Sequence, residues 1–313
     1  MFHKILQKIE EFDIIIIHRH SRPDGDALGC QLGLKYGLIK NFPNKRIYAV
    51  GDVSERLKFI GRMDLISDDL YKGALAIVLD VAEEFMISDD RYKQARFVIK
   101  MDHHIEKTGF GDIKFVDTSY ESCAGLITDF FYQNQLELDI LAATALFTGI
   151  VTDSGRFRYS ATNNRTFLLV SYLLNQEVDL ENIYMNLYSE DLETVRLRAL
   201  LTMKFTLTES GVGVLINTKE EVAGYGADIF TVSRGMVNVM SGIKGIGVWV
   251  NFTEDESTGN IWVELRSSGA NINEIATKYG GGGHKLASGA TIDSWEIAQQ
   301  MIQDLDQLVR RTT

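Results

Sequence analysis

Short apolar runs punctuate the first half of the chain. They fall at 14–17 (IIII), 46–50 (RIYAV), 74–79 (ALAIVL), 97–101 (FVIKM) and 113–116 (IKFV). Runs of this length, rich in Ile and Val, read as strands buried on both faces. Between them, apolar positions recur at helical spacing over 27–41, 89–96 and 123–134. Repeated strand–helix units predict a parallel sheet flanked by helices. On such a sheet, ligands gather at the carboxyl ends of the strands.

From 139 to 203 the pattern is mainly helical, with Asn163 and Asp179 placed as N-caps. The texture changes near 205. TLTESGVGVLIN and VWVNFTEDESTGNIWVEL read as hairpins with Gly-containing turns, and helical patterns recur at 219–224, 230–240, 271–279 and 294–309. The expected organisation is α/β. A parallel-sheet domain spans 1–188, a charged helical connector 189–204, and a smaller α+β domain with a mainly antiparallel sheet 205–313. A length of 313 residues agrees with more than one core.

Composition narrows the function classes. The chain is 45% apolar and 24% charged, as soluble globular proteins are. No apolar run approaches the roughly 20 residues that span a bilayer, so no membrane is expected as a partner. The acidic N-terminal stretch has no signal-peptide cleavage pattern, and Cys30 and Cys123 make no disulfide framework. A cytoplasmic protein with reduced thiols is expected. A formal charge of −11 argues against non-specific binding to long duplex nucleic acid. It leaves room for a short anionic substrate held by a local cation. An exposed helix face is compatible with a homodimer.

The candidate chemistry lies where strands end. HRHSRPDGD (18–26) follows the Ile run, Asp80 ends ALAIVLD, Asp102-His103-His104 follows FVIKM, and Asp153 stands in GIVTDSGRF. Imidazoles and carboxylates converging on one sheet edge would repel and desolvate badly without cations. A dinuclear site about 3.5–4 Å across neutralises them, activates a water and clamps the oxygens of an in-line phosphoryl displacement. Oxygen-rich donors with one or two His suit Mn²⁺ or Mg²⁺ and admit Fe²⁺ or Co²⁺. Taken singly the residues have plainer readings. Asp24 and Asp26 read equally as a turn, Asp80 as a helix N-cap, and Asp102 as a buried partner that orients a His. His18 reads equally as a ligand or as a buried, hydrogen-bonded support.

KYGGGGHKLASGA, in the second domain, offers another tool. Four glycines could be a linker, but His284, Lys285 and a small-residue strand follow at once. A loop without side chains lets backbone N–H groups approach a phosphate. Arg266 adds a permanent cation with bidentate phosphate geometry, and Ser267 and Ser268 add hydroxyls.

HSRPDGDALG, the Asp80 strand end, Asp102-His103-His104 and GIVTDSGRFRY together resemble the four phosphoesterase motifs of the DHH superfamily. RSSGANINEIATKYGGGGHKLASGA resembles its DHHA1 substrate-binding domain. The resemblance spans nearly the whole chain in order and spacing. Cys30 departs from it slightly, standing where the family often has Ser. With no OB-fold or membrane segment, the chain is similar to the stand-alone bacterial nanoRNase and 3′-phosphoadenosine-5′-phosphate (pAp) phosphatase branch.

The resemblance implies a ligand set. His20, Asp24 and Asp80 would hold one Mn²⁺. Asp26, Asp80, His103 and Asp153 would hold the second, with Asp80 bridging. His104 would face the scissile phosphate, and Asp102 would orient the pair. Arg266, Ser267, Gly281, Gly282, Gly283 and His284 would bind substrate across an interdomain cleft. Two Mn²⁺, with Mg²⁺ or Co²⁺ as substitutes, are the implied cofactors. Short oligoribonucleotides, pAp, pApA or cyclic di-AMP are the implied substrates. The rival readings are a non-catalytic nucleotide sensor and a hydrolase of inorganic polyphosphate.

Overall fold

The computed structural model describes residues 1–106 and 109–312. Lys107, Thr108 and Thr313, the last expected to close the second domain, lie outside the described residues. The chain divides into two compact units, Met1–Ser189 and the residues from Glu190 on.

In the first unit, α1 (Phe2–Glu11) leads into β1 (Ile14–His18), α2 (Gly25–Asn41), β2 (Arg46–Ala49), β3 (Leu75–Leu79), β4 (Phe97–Asp102) and β5 (Ile113–Val116). The helices α3 (Cys123–Gln133), α4 (Ile140–Asp153), α5 (Asn164–Leu174) and α6 (Leu180–Tyr188) follow. Among the described residues the strand order is β2-β1-β3-β4-β5, with every neighbouring pair parallel. The central strand β3 is buried along its whole length, which is why it is a continuous apolar run. One face packs Ile15, Ile17, Ile77 and Leu79 with Leu28, Leu32, Phe130 and Leu146 of the helices. The other face is thinner, built on Ala76, Val78, Val81 and Tyr92.

That thin face is closed by a 3-10 turn at Asp90–Gln94 rather than the α-helix expected over 89–96. Asp89 explains the difference. Its carboxylate accepts from the Arg91 backbone N–H at 3.1 Å and from the Arg91 guanidinium at 2.7 Å. Such local side-chain bonding competes with helical pairing.

The crossing of α2 and α4 positions the site. A Cβ on Gly29 would stand 2.6 Å from the Ala145 carbonyl and 2.8 Å from the Gly149 nitrogen, so only glycine admits this approach. The crossing carries the first turn of α2, with Asp26, to the last turn of α4, with Asp153. Asp153 therefore enters from a helix C-terminus and not from a strand end.

The second unit holds α7 (Leu192–Lys204), β6 (Thr206–Leu207), β7 (Gly213–Asn217), α8 (Lys219–Gly224), β8 (Val248–Glu254), β9 (Ile261–Ser267), α9 (Asn273–Lys278), β10 (Gly282–His284), β11 (Ala287–Ile292) and α10 (Trp295–Thr312). Its sheet runs β10-β11-β9-β8-β7-β6 among the described residues, antiparallel except for the parallel pair β7–β8. The helix expected as a connector packs inside this unit. Its Leu197 and Leu201 join Leu215, Met236 and Trp249.

The helix expected at 230–240 is a π turn (Thr231–Gly235) followed by a 3-10 turn (Val237–Met240). Asn251 is the reason. Its buried side-chain amide donates to the Val232 and Ser233 carbonyls, each at 2.8 Å, and so occupies acceptors a regular helix would use. On β9, Ile261, Val263, Leu265 and Ser267 are buried and the alternate residues Trp262, Glu264 and Arg266 are half-buried on the opposite face.

Candidate active site

His20 sits just past β1. Arg19 is wholly buried and donates to the His20 carbonyl at 2.8 Å and to the Asp52 carbonyl, which anchors this loop. The His20 Nδ1 lies 2.8 Å from the Ser21 carbonyl and donates to it, leaving Nε2 for the cluster. Nε2 stands 3.5 Å from Asp80 Oδ2 and 3.9 Å from Asp24 Oδ1. Asp24 is also the N-cap of α2, accepting from the Ala27 N–H at 3.0 Å. The turn reading and the ligand reading of this residue are thus compatible.

Asp26 has a similar double place. Its oxygens accept from the N–H groups of Cys123 at 2.7 Å and Ala124 at 2.8 Å, in the first turn of α3. The same Oδ2 lies 3.7 Å from His103 Nε2. That nitrogen is 3.4 Å from Asp153 Oδ2 and 3.5 Å from Asp80 Oδ1. The other His103 nitrogen faces the Tyr120 carbonyl at 3.4 Å.

Among the described residues, three groupings bring donor atoms within 4.8 Å of one another: His20-Asp24-Asp80, Asp26-His103-Asp153 and Asp80-His103-His104. Asp80 stands between the first two, turning Oδ2 to His20 and Oδ1 to His103. It does so from a left-handed backbone, φ 57°, a conformation Asp tolerates better than most residues. No helix begins there, so the N-cap reading of Asp80 is set aside.

The donor set fits a divalent cation. Asp80 Oδ1 and His103 Nε2 are buried and have no hydrogen-bond partner among the described residues, although they lie 3.5 Å apart. Orphaned buried groups cost about 1–3 kcal/mol each, more when charged. Carboxylate oxygen and imidazole nitrogen donors with no thiolate match hard to borderline ions.

Charge in the cluster is displaced accordingly. Burial pushes the Asp26 carboxyl well above its usual range, and Asp80 and Asp153 push it further. Burial likewise lifts Asp153 to about 6. Burial would lower the imidazoles, but Asp80 and its neighbours outweigh it, raising His20 to about 9 and His103 to about 10. Burial opposes ionisation of Asp80, yet the two imidazoles hold it well below the carboxylate range. Without metal, protons gather where a cation's charge is wanted.

His104 is half exposed beside this cluster. Asp102, fully buried at the end of β4, takes the His104 backbone N–H at 3.1 Å and the ring Nδ1 at 2.9 Å on one oxygen. That bond raises His104 above an ordinary histidine. His18 stays outside the cluster. It is fully buried between Tyr71 and Tyr92, its nitrogens make no hydrogen bond among the described residues, and burial lowers it to about 4. It is neither ligand nor hydrogen-bonded support.

In the second unit, Arg266 is held by Glu264 at 3.0 Å and by the Leu265 carbonyl at 2.8 Å. Register on β11 and β10 sets Arg266 opposite Ala287, and Ala287 opposite His284. Ser267 belongs to the other face of β9, its hydroxyl accepting from the Gly269 N–H at 3.0 Å. The glycine run is an edge strand and not a free loop. A Cβ on Gly281 would lie 2.1 Å from the Gly289 carbonyl, and one on Gly283 2.7 Å from that of Ala287; Gly282 faces open space. Two of these glycines are therefore needed for the approach of β11. Glu264 and Lys100 escaped the sequence reading. Their signals were a charge alternating with Arg266 in IWVELR and a lone lysine inside FVIKMD.

A parallel α/β unit with carboxylates and imidazoles gathered at its strand ends, followed by an α+β unit with an arginine on its sheet, fits a metal-dependent phosphoesterase. Residues 14–150 match the "DHH family, N-terminal domain" and residues 229–311 the "DHHA1 domain". The chain is 38% identical over 309 residues to a probable bifunctional oligoribonuclease and PAP phosphatase NrnA of Streptococcus mutans, covering 99% of each. It is 35% identical to the Bacillus subtilis bifunctional oligoribonuclease and PAP phosphatase NrnA, covering 98% of each. An exopolyphosphatase-related protein from Bacteroides fragilis shares the fold, with a TM-score of 0.81 at 24% identity over 99% of this chain and 97% of that one. The chain belongs to the DHH/DHHA1 phosphoesterase family, in the branch of the NrnA proteins.

Proposed function

We propose that this protein is a manganese-dependent hydrolase of short nucleotides, cleaving oligoribonucleotides of a few residues and removing the 3′-phosphate of pAp. The observation that carries the reading is Asp80, whose two oxygens turn to separate donor groups, one with His20 and one with His103. The names of the two NrnA relatives supply the substrate class.

His20, Asp24 and Asp80 would hold one Mn²⁺, and Asp26, Asp80, His103 and Asp153 the other. When bound, the pair supplies Lewis acidity, neutralising phosphate oxygens and acidifying water. The carboxylates fix where that charge sits, and Asp26 is itself fixed by the first turn of α3. Hydrolysis adds the water oxygen to phosphorus and releases the ester oxygen with a proton. His104, with Nδ1 committed to Asp102, has Nε2 left to stabilise charge on the reacting phosphate. Arg266 and His284, with the Gly281–Gly283 backbone, would bind the rest of the nucleotide. The free, buried thiols of Cys30 and Cys123 suit a reducing cytosol.

The test is incubation of the protein with pApA, pAp and tripolyphosphate in Mn²⁺. Release of AMP from the first two supports the reading. Binding without turnover makes the protein a sensor, and turnover of tripolyphosphate alone makes it a polyphosphatase.

A further inference from the structure

Lys100 lies in the middle of β4 and is wholly buried. Its ammonium sits 4.9 Å from the centroid of the Phe110 ring, within the thin apolar face of the sheet. Burying an ammonium is costly, and apolar residues of similar volume often pack in such places as stably. Its surroundings point to a purpose. Nζ stands 3.5 Å from Asp102 Oδ2 and 3.8 Å from Glu106 Oε1. Neither Nζ nor Oδ2 makes a hydrogen bond among the described residues. Asp102 Oδ1, by contrast, is fully used by the His104 backbone and ring. Strand alternation puts Lys100 and Asp102 on the same face.

We propose that Lys100 is a positioning residue for His104: its ammonium fixes one oxygen of Asp102, so that the other holds the His104 ring with Nε2 free for the reacting phosphate. With no cation behind it, Asp102 would turn in its pocket and His104 would lose its orientation. The chain of contact runs Lys100–Asp102–His104, and His104 Nδ1 also lies 3.4 Å from Asp80 Oδ1, which is why bound Mn²⁺ is followed beside turnover. The kinetic part of this inference rests on the proposed hydrolysis of short nucleotides; the structural part does not.

The experiment compares Lys100→Met, Lys100→Arg, Asp102→Asn and the double variant Lys100→Met/Asp102→Asn. Turnover of pApA, bound Mn²⁺ and thermal unfolding are followed for each. Lys100→Met should lower kcat about ten- to a hundredfold, the usual effect of an orienting partner, with KM and Mn²⁺ content unchanged. Lys100→Arg should recover most of that loss. The double variant should be no worse than Asp102→Asn alone, because both changes cut the same chain. Wild-type kcat in Lys100→Met, additive losses in the double variant, or Mn²⁺ loss that parallels the loss of activity overturns the proposal. So does failure of both Lys100 variants to fold, which would make the lysine a fold residue only. A second readout needs no turnover. ¹⁵N NMR of the His104 ring should show an Nδ1–H hydrogen-bonded to Asp102 in the wild-type protein, and loss of that hydrogen bond in Lys100→Met. An unchanged ring spectrum defeats the positioning role even if the protein hydrolyses pApA. A changed one sustains it even if the substrate reading fails.

Discussion

The strand ends of the first unit and the Arg266 face of the second sheet hold their charged groups by opposite means. At the strand ends carboxylates and imidazoles are buried together, Asp80 and Asp26 almost completely. Their charges balance one another, protons on the imidazoles standing in for a cation. On the second sheet, Arg266 is already a cation, and Glu264 at 3.0 Å neutralises it while it waits. The first region needs its charge delivered from solution. The second carries its charge and restrains it. Removing a group should therefore disable the first region and only loosen the second.

The sharpest test of that contrast is Asp80→Ala. It removes the residue that faces both His20 and His103, and turnover should fall by at least about 10³-fold together with bound Mn²⁺. Near-normal rates would break the shared-carboxylate picture outright. His104→Ala should cost about 10²-fold in kcat while Mn²⁺ content, read by elemental analysis, stays at the wild-type level. Arg266→Ala should raise KM for a dinucleotide roughly tenfold or more, the worth of a charged hydrogen bond, and leave metal binding alone. Glu264→Gln should do the reverse, lowering KM a few-fold by releasing the arginine. If either change alters metal content, the two regions are not independent.

The smallest expected effect is a pH trend in the metal-free protein. His20 and His103 are raised from about 6.5 to about 9 and about 10 in the folded chain. The stability they contribute is full below pH about 6.5 and is lost as pH rises through those folded values. Asp153, raised from 3.8 to about 6, has already lost its contribution as pH rises through about 6. Asp80 runs the other way, but its window lies in acid. The melting temperature of the chelated protein should thus decline by a few degrees between pH 6.5 and 10. Saturating Mn²⁺ should flatten or invert that slope. A flat profile without metal would mean that the imidazolium–carboxylate contacts carry no net stability.

Much of the site was legible because its residue types are conspicuous. Two histidine pairs and aspartates at the ends of Ile- and Val-rich runs announce themselves, and a parallel sheet directs them to one edge. Residues whose role depends on partners far along the chain were not legible. Nothing near Asp26 says that it also caps α3, and nothing near Gly29 says that α4 passes within touching distance. Lys100 was hidden inside an apolar run, where a single charge looks like noise until its neighbour on the same face is known to be Asp102. The face that Ser267 occupies was hard to assign for a related reason. It follows Arg266 directly, and on a strand adjacent residues face opposite ways.

What the amino-acid sequence determined by itself was the class of each unit and the identity of the donors. Hydrophobic period and chemical type are local properties, and the chain displays both. Only the tertiary structure decided how those groups are shared: Asp80 between His20 and His103, Asp102 between Lys100 and His104, Arg266 between Glu264 and the Leu265 carbonyl. Sharing is a matter of which oxygen faces which nitrogen within 3 to 4 Å. The contacts of Asp80 with His20 and His103 join elements far apart in the chain, and the glycine crossing of α2 and α4 brings the helix turns of Asp26 and Asp153 together. No periodicity within either helix encodes that crossing.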